Sequence, residues 1–192
     1  IFSVLRLEDG GSRKEAILQP GVKQVAAGYV LYGSSTVLVL TTGNGVDMFV
    51  LDQAIGSFVL VSKKLKIPSG NKTYSTNEAY TEKYSEEIRN YLSWAHKNDY
   101  SSRYIGSMVA DVHRVLLRGG VFLYPPTTDN PDGKLRLMYE ANPMAMIIEQ
   151  AGGKGVCCGE RILEVVPNGL HQRTGVILGS VDQVDAILEH TK

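Results

Sequence analysis

The stretch from Thr36 to Leu51, TVLVLTTGNGVDMFVL, places two apolar runs on either side of a glycine-rich turn. Val, Leu and Phe are frequent in strands, and Asn44-Gly45 favours the positive φ values of a type I′ hairpin turn. The stretch therefore predicts a β-hairpin. Phe58 to Val61 follows another turn and predicts a further strand, so we expect an antiparallel meander in this third of the chain.

Outward from the hairpin, the flanking segments have different periodicities. Residues 1–6 alternate in part and predict a strand, whereas residues 22–32, VKQVAAGYVLY, are ambiguous and fit a helix leading into a strand. Residues 81–97 and 107–118 carry apolar side chains at helical spacing, and each predicts an amphipathic helix. Between and beyond them lie further strands and helices.

The C-terminal half alternates strand and helix patterns. Residues 121–124, 137–139 and 174–178 predict strands. Asn142 as N-cap and Pro143 at the first helical position predict a helix to Gln150, and Ser180 to Gln183 matches a capping box before a last helix. The chain is expected to be one compact domain of the α/β class, a layered sandwich with mixed sheets and flanking helices.

Composition excludes several classes of protein. The 192 residues contain 20 Lys plus Arg and 20 Asp plus Glu, so a net charge of zero provides no general attraction for nucleic acid or an anionic membrane. No apolar run approaches the roughly 18 residues of a membrane span, and no targeting peptide is recognised. The only cysteines, Cys157 and Cys158, are adjacent and match neither a disulfide scaffold nor a zinc site. A reducing, intracellular location is expected.

One candidate anion site precedes the predicted helix at 107–118. Arg103, Tyr104 and Ser107 supply a cation and two hydroxyls where a helix presents free N–H groups, which suits a phosphate. The structural alternative is a solvated Arg103, a Tyr104 at the edge of the core and a Ser107 that only caps the helix.

A second set of candidates surrounds the strand that ends at Tyr124. Lys134 and Arg136 are two residues apart, so on a strand they share a face and could hold a phosphate or a sugar oxygen. A solvated edge strand is the alternative. Glu140, placed at the end of the predicted strand, could bind a hard cation, or could instead stabilise the following helix through its dipole.

Other polar residues give weaker signals. Asn77 and Tyr80 lie at a predicted helix start. His113 is interpreted as structural because its neighbour Arg114 faces elsewhere on the helix, and His171 as a loop residue. Cys157 and Cys158 are both expected to be strand residues beside a glycine turn.

Several long segments, in this order along the chain, resemble the C-terminal part of the class I fructose-1,6-bisphosphatases. The resemblance covers essentially the whole chain and is carried by these motifs: AAGYVLYGS at 26–34, RYIGSMVADVHR at 103–114, GGVFLYP at 119–125, GKLRLMYEANP at 133–143, and His171-Gln172-Arg173. It implies a fold of the sugar-phosphatase type and a Mg²⁺-dependent hydrolase of gluconeogenesis that removes the 1-phosphate of fructose 1,6-bisphosphate. Mn²⁺ or Zn²⁺ are alternative metals.

The resemblance also assigns roles to matching positions. The 6-phosphate would be held by Asn77, Tyr80, Tyr104 and Tyr124, with Arg103 from a neighbouring subunit. Lys134 would contact the sugar and Met108 would lie near its ring, while Glu140 would be the metal ligand in this half. The remaining substrate-binding positions are Glu78, Gly106, Ser107, Leu135 and Arg136. Arg6 matches an AMP-contacting position, and the implied enzyme is a cytoplasmic, allosteric homotetramer that binds fructose 1,6-bisphosphate and fructose 6-phosphate.

The sequence departs from the family pattern in places. Ala79 replaces a glycine, and Asp129 and Asp132 stand where many relatives have lysines. The family's Asp-Pro-Leu-Asp-Gly-Ser-Ser motif, which supplies most metal ligands, is expected before residue 1, together with the AMP-binding helices. The chain, residues 1–192, is therefore expected to be a C-terminal domain that is inactive alone, with the catalytic carboxylates elsewhere. A sedoheptulose-1,7-bisphosphatase and a non-catalytic sugar-phosphate-binding domain are the alternative functions.

Overall fold

In the part of the chain that the structure describes, two main sheets and four helices of nine or more residues form alternating layers. The computed structural model describes residues 1–7 and 16–190, in which a five-stranded antiparallel sheet and a six-stranded mixed sheet enclose one pair of helices. A second pair of helices covers the outer face of the mixed sheet. The predicted α/β class, with mixed sheets and flanking helices, is confirmed.

The first sheet is the predicted meander, with its strands in chain order. Its strands are β1 (Phe2–Leu5), β2 (Gln24–Leu31), β3 (Val37–Thr41), β4 (Val46–Asp52) and β5 (Ser57–Ser62). The ambiguous segment 22–32 is thus almost entirely strand, preceded by a short 3₁₀ turn at Gly21–Lys23. The expected strand at 1–6 is also present.

The β3–β4 hairpin is confirmed, but its predicted type I′ turn is wrong. Thr41 pairs with Val46, which leaves four loop residues, and the positive φ values fall on Gly43 and Gly45. The hydroxyl of Thr41 accepts a hydrogen bond from Gly43 N–H and donates one to the Gly45 carbonyl, at 3.2 and 2.7 Å. These side-chain bonds stabilise the wider loop.

The second sheet is apolar on both faces. Its main strands are β6 (Thr73–Ser75), β7 (Ser101–Ser102), β8 (Val121–Tyr124), β10 (Lys154–Cys157), β11 (Glu160–Arg161) and β13 (Val176–Gly179), in the order β11-β10-β13-β8-β6-β7. Side chains alternate between faces, so Val121 and Leu123 enter one core and Phe122 the other. A short ribbon pairs β9 (Leu135–Arg136) with β12 (Arg173–Thr174).

The helices divide the two cores between them. They are α1 (Glu86–Lys97), α2 (Met108–Arg118), α3 (Asn142–Gln150) and α4 (Val181–His190). Helices α2 and α3 pack between the sheets, while α1 and α4 pack against each other on the outer side. Within the described ranges, every helix is too short or too polar to cross a bilayer.

Two helix starts differ from their predictions. The helix expected from Thr81 begins only at Glu86, because a 3₁₀ turn at Glu78–Lys83 and an extended Ser85 precede it. The last helix is present, but the predicted capping box at Ser180 is wrong. The Ser180 hydroxyl instead donates to the Pro68 carbonyl and accepts from Gly120 N–H, at 2.6 and 3.1 Å, and so ties three segments together.

The largest correction concerns the segment before α3. Residues Leu137–Ala141, whose first three were predicted as a strand, form a π-helical turn that continues into α3. Asn142 has helical φ and ψ values and is not the N-cap. Leu137, Met138 and Ala141 are buried, so the turn presents an apolar helical face to the core. The short apolar run in the sequence did not distinguish this face from a strand. Glu140 consequently lies inside a helical turn.

The two cysteines also differ from each other. Cys157 is half-buried at the end of β10, as predicted, but Cys158 is exposed and lies in a turn with a φ of 50°. Because Cys157 pairs with Glu160, Cys158 and Gly159 are the two central residues of a tight hairpin turn. Their positive φ values, 50° and 83°, are the ones such a turn requires.

Candidate functional site

The 3₁₀ turn after β6 fixes the first group of predicted site residues. The Asn77 side-chain oxygen accepts the Ala79 N–H at 3.1 Å, which caps the turn. The phenol of Tyr84 donates to the Asn77 carbonyl at 2.9 Å, so the backbone at Asn77 is fixed by a second hydrogen bond. Asn77 and Tyr80 are therefore presented by a short, pinned turn rather than by a long helix.

Glu78 faces a hydrogen-bonded cluster of its own. Its carboxylate accepts hydrogen bonds from the Tyr74 and Ser102 hydroxyls at 2.8 and 2.7 Å and pairs with His96 at 3.3 Å. Burial raises the pKa of Glu78, but the Ser102 and Tyr74 hydrogen bonds and the nearby His96 outweigh it, so the pKa lies below its ordinary value. This arrangement ties Glu78 to β6, β7 and α1, and its assignment to substrate stays a prediction.

Three of the predicted phosphate-binding tyrosines lie in one electrostatic neighbourhood. Burial raises the pKa of Tyr104, and the phenols of Tyr124 and Tyr80 raise it further, together with Asp111. Burial also raises the pKa of Tyr84, and although a hydrogen bond with Thr76 lowers it, the phenols of Tyr124, Tyr104 and Tyr80 raise it further. The phenols of three separate segments thus lie within electrostatic range of one another. We call Tyr80, Tyr104 and Tyr124 the tyrosine cluster.

Lys134 joins the tyrosine cluster. Its Nζ lies 4.6 Å from the centre of the Tyr80 ring, within the range of a cation–π contact. Gly133, the residue before Lys134, has a φ of +82°, and a Cβ there would lie 2.3 Å from the Thr174 carbonyl, so only glycine allows this close packing against Thr174. Lys134 thus lies against one phenol of the cluster, and its assignment to the substrate stays a prediction.

A buried carboxylate that the sequence argument did not single out holds the neighbouring loop. Asp111, fully buried in the first turn of α2, accepts the backbone N–H groups of Ile105 and Gly106, both at 3.1 Å. It also accepts the Ser75 hydroxyl at 2.6 Å and pairs with Arg114 at 3.1 Å. An acidic residue four positions after Ser107, in the first turn of a predicted helix, was the available signal.

The loop that Asp111 holds carries the remaining residues of the first candidate site. Gly106 has a φ of +87°, which lets the chain turn into α2 after Tyr104. Ser107 occupies the N-cap position without a side-chain cap, and Met108 begins the helix and packs against the core. Arg103 is exposed, and its guanidinium donates to the Ser102 carbonyl at 2.8 Å.

Glu140 is oriented by the backbone before it. Arg136 N–H donates to Glu140 Oε2 at 2.7 Å, as a helix N-cap residue does to a carboxylate one turn later. Leu135 and Arg136 are themselves held in β9, opposite Thr174 and Arg173. The carboxylate is thus fixed in place with its second oxygen still able to act as a ligand.

The donor set for a metal is incomplete in this part of the chain. Over residues 1–7 and 16–190, no three His, Cys, Asp or Glu side chains are placed to bind one ion together. Glu140 offers the hard oxygen that Mg²⁺ prefers, and the Arg136 N–H orients its carboxylate, as hydrogen bonds to metal-ligating carboxylates do. Glu140 therefore fits a divalent cation as one of several ligands.

Arg6, His113 and His171 make contacts with residues outside the tyrosine cluster. Arg6 follows β1 in the first sheet, and its carbonyl accepts the Gln19 side chain at 2.9 Å. His113 bonds to the phenol of Tyr29 at 2.9 Å, which confirms a structural role, and His171 lies in a loop beside Tyr139. Asp129, one of the departures from the family pattern, pairs with Lys83.

Profiles of one protein family match both parts of the chain. A family profile described as fructose-1-6-bisphosphatase, C-terminal domain, matches residues 67–192, and the corresponding N-terminal domain profile matches residues 1–63. The boundary between them falls between the two sheets. The two profiles divide the chain after residue 63, and the expectation that residues 1–192 form one domain stays a prediction.

Individual relatives agree with these profiles. Proteins named fructose-1,6-bisphosphatase class 1 from Salinibacter ruber and a Synechococcus strain are each 52% identical, over 97% and 98% of this chain. This chain spans 55% and 58% of their lengths. A crystal structure of Leishmania major fructose-1,6-bisphosphatase in holo form superposes with a TM-score of 0.92 at 45% identity, covering 96% of this chain and 60% of that one.

Proposed function

Because this chain belongs to the fructose-1,6-bisphosphatase family, we propose that it forms the sugar-binding and 6-phosphate-binding side of an enzyme that hydrolyses the 1-phosphate of fructose 1,6-bisphosphate. The enzyme is a phosphoric monoester hydrolase of gluconeogenesis. The convergence of Tyr80, Tyr104 and Tyr124 with Lys134 is the observation that carries this proposal.

The tyrosine cluster suits a phosphate that does not react. Phenolic hydroxyls donate directional hydrogen bonds, and Lys134 adds a positive charge, so together they fix one end of a bisphosphate. Holding that end positions the other phosphate for attack, and positioning supplies much of the rate in phosphoryl transfer. We propose that Asn77, Ser107 and Met108, on the segments described above, contribute to the same side of the site.

Glu140 would contribute to a site for a divalent cation, for which we propose Mg²⁺, with Mn²⁺ or Zn²⁺ as alternatives. When bound, such a cation supplies Lewis-acid stabilisation of charge on phosphoryl oxygens. The Arg136 N–H, which donates to Glu140 Oε2, fixes the orientation of this carboxylate. We propose that the catalytic carboxylates lie in the rest of the enzyme and that the 192-residue chain alone binds sugar phosphate weakly without turnover.

Replacing Lys134 by Ala tests the proposal in the full-length protein. We expect KM for fructose 1,6-bisphosphate to rise about tenfold to a hundredfold, since a charge-assisted contact to phosphate is lost. The assay is Mg²⁺-dependent phosphate release, and Lys97→Ala, at an exposed helix end, is the matched control. An unchanged KM for Lys134→Ala would contradict the assignment.

Substrate preference is decided by the same assay. We expect kcat/KM to be higher for fructose 1,6-bisphosphate than for sedoheptulose 1,7-bisphosphate. The reverse order would favour the alternative enzyme. Binding of fructose 6-phosphate with no Mg²⁺-dependent turnover would favour a non-catalytic binding domain.

We further propose a cytoplasmic homotetramer in which Arg103 reaches the 6-phosphate of a neighbouring subunit, with AMP as an inhibitor and Arg6 at its site. The exposed Arg103 guanidinium is available for such a contact. The proposal of two allosteric states is supported by the relative from Leishmania major, one of whose structures is described as the T-state. AMP inhibition of the full-length protein and of Arg6→Ala tests the regulatory part.

A mixture of two impaired variants, assayed at substrate concentrations well below KM, tests whether Arg103 acts between subunits. Arg103→Ala and Glu140→Gln subunits are dissociated, mixed and reassembled. If Arg103 serves its neighbour, one of the two sites in each hybrid pair contains both native residues, and about a quarter of wild-type activity returns. If Arg103 serves its own subunit, the activity of the mixture stays at the average of the two variants.

A further inference from the structure

The paired cysteines lie on the edge of a cavity that the proposed reaction does not use. Cys157 Sγ and Cys158 Sγ are 3.6 Å apart at the β10–β11 turn. The cavity has a volume of about 300 Å³ and is lined on its apolar sides by Ile88, Pro125, Pro126, Val176, Ile177 and Leu188. Its size and lining are typical of a site for a small apolar molecule.

Hydrogen-bond donors converge on the sulfur of Cys157. The Thr174 hydroxyl lies 2.9 Å from Cys157 Sγ and equally far from the Gly175 carbonyl. When Cys157 is ionised, the Cys158 thiol, 3.6 Å away, is its donor, and the Gly175 backbone N–H also favours the thiolate. These donors, Cys158 foremost, outweigh burial and the nearby Glu160 and lower the pKa of Cys157 to about 6. The pKa of Cys158 is raised in turn, because its proton is shared with Cys157.

One thiolate at the mouth of an apolar cavity is a nucleophile with a binding site for its reaction partner. Two other uses of the pair fit less well. Adjacent Cα atoms are about 3.8 Å apart across a trans peptide, closer than ordinary disulfides allow. Zinc needs further ligands, and among the described residues no His, Cys, Asp or Glu joins the two thiols in a set that could hold one ion.

We propose that Cys157 is a covalent modification site for α,β-unsaturated carbonyl compounds with an apolar tail. The thiolate forms a carbon–sulfur bond to the β-carbon, and the electron pair of the carbon–carbon double bond moves to the carbonyl as an enolate. The enolate takes one proton from water, so nothing leaves and no oxidant is consumed. The tail lies against Ile88, Pro126 and Leu188.

The test compares two enals on the full-length protein at pH 7. trans-2-Nonenal carries the apolar tail, and acrolein has the same reactive group without it. Peptide mapping by mass spectrometry gives the rate at Cys157, and N-acetylcysteine corrects for intrinsic reactivity. We expect the nonenal-to-acrolein ratio at Cys157 to exceed that of N-acetylcysteine by about tenfold, because burial of a few CH₂ groups suffices for such a factor.

Matched variants separate the thiolate from the cavity. Cys157→Ser is expected to abolish the adduct, whereas Cys158→Ser keeps it at Cys157. Thr174→Val removes one donor and should slow both enals about fivefold or more, as the thiolate fraction falls. Ser85→Trp fills the cavity rim and should slow nonenal alone. Modification confined to Cys158, or a ratio equal to that of N-acetylcysteine, would overturn the proposal.

Discussion

Asp111→Asn is expected to destabilise the full-length protein by about 3 kcal/mol, the lower end of the cost of breaking a buried ion pair. Asp111 is fully buried and accepts bonds from four groups, among them Arg114. An amide in its place carries no charge and cannot accept on both of its atoms. Arg114 Nε and Nη2 are buried without hydrogen-bond partners, so the guanidinium would lose its only counter-charge among the described residues.

The same variant should affect substrate binding more than turnover. Asp111 holds the Ile105 and Gly106 N–H groups, and that loop carries Tyr104. We expect KM for fructose 1,6-bisphosphate to rise about tenfold with kcat within a factor of three, since the non-reacting phosphate loses a fixed contact.

Chemical unfolding gives the free energy, and steady-state kinetics gives KM and kcat. Asp185→Asn is the control, because its ion pair with Lys154 is exposed and should cost less than about 1 kcal/mol. If Asp111→Asn unfolds within 0.5 kcal/mol of wild type (about the error of such comparisons), the network does not stabilise the fold as argued.

Glu140→Gln is expected to reduce kcat of the full-length enzyme by about 100-fold or more, because losing even a group that only orients a metal ligand costs about 10-fold to 100-fold. The amide oxygen of Gln can still accept the Arg136 N–H, so the helical turn should remain. What is lost is the negative charge that binds a hard cation.

Calorimetric titration with Mg²⁺ distinguishes a lost ligand from a distorted fold. We expect weaker Mg²⁺ binding by Glu140→Gln with an unchanged melting temperature. Glu164→Gln removes an exposed carboxylate paired with Arg161 and is the matched control. Activity of Glu140→Gln within threefold of wild type would remove Glu140 from the proposed metal site.

Local patterns in the sequence identified most of the helices and strands. The hairpin at 36–51 and the helices ending at Lys97, Arg118 and Gln150 follow from apolar spacing and from glycine, which are properties of a few neighbouring residues. The same spacing misassigned Leu137 to Tyr139, because three apolar residues in a row fit a strand as well as a buried helical turn.

The long motifs in the sequence determined the family, since residue types such as RYIGSMVADVHR are readable without any contact being known. Only the tertiary structure decided which residues meet. The tyrosine cluster joins three separate segments, Asp111 turns inward to hold a loop, and Thr174 lies beside Cys157. These contacts arise because sheets and helices bury their apolar faces against each other, and that packing depends on side chains far apart in the chain.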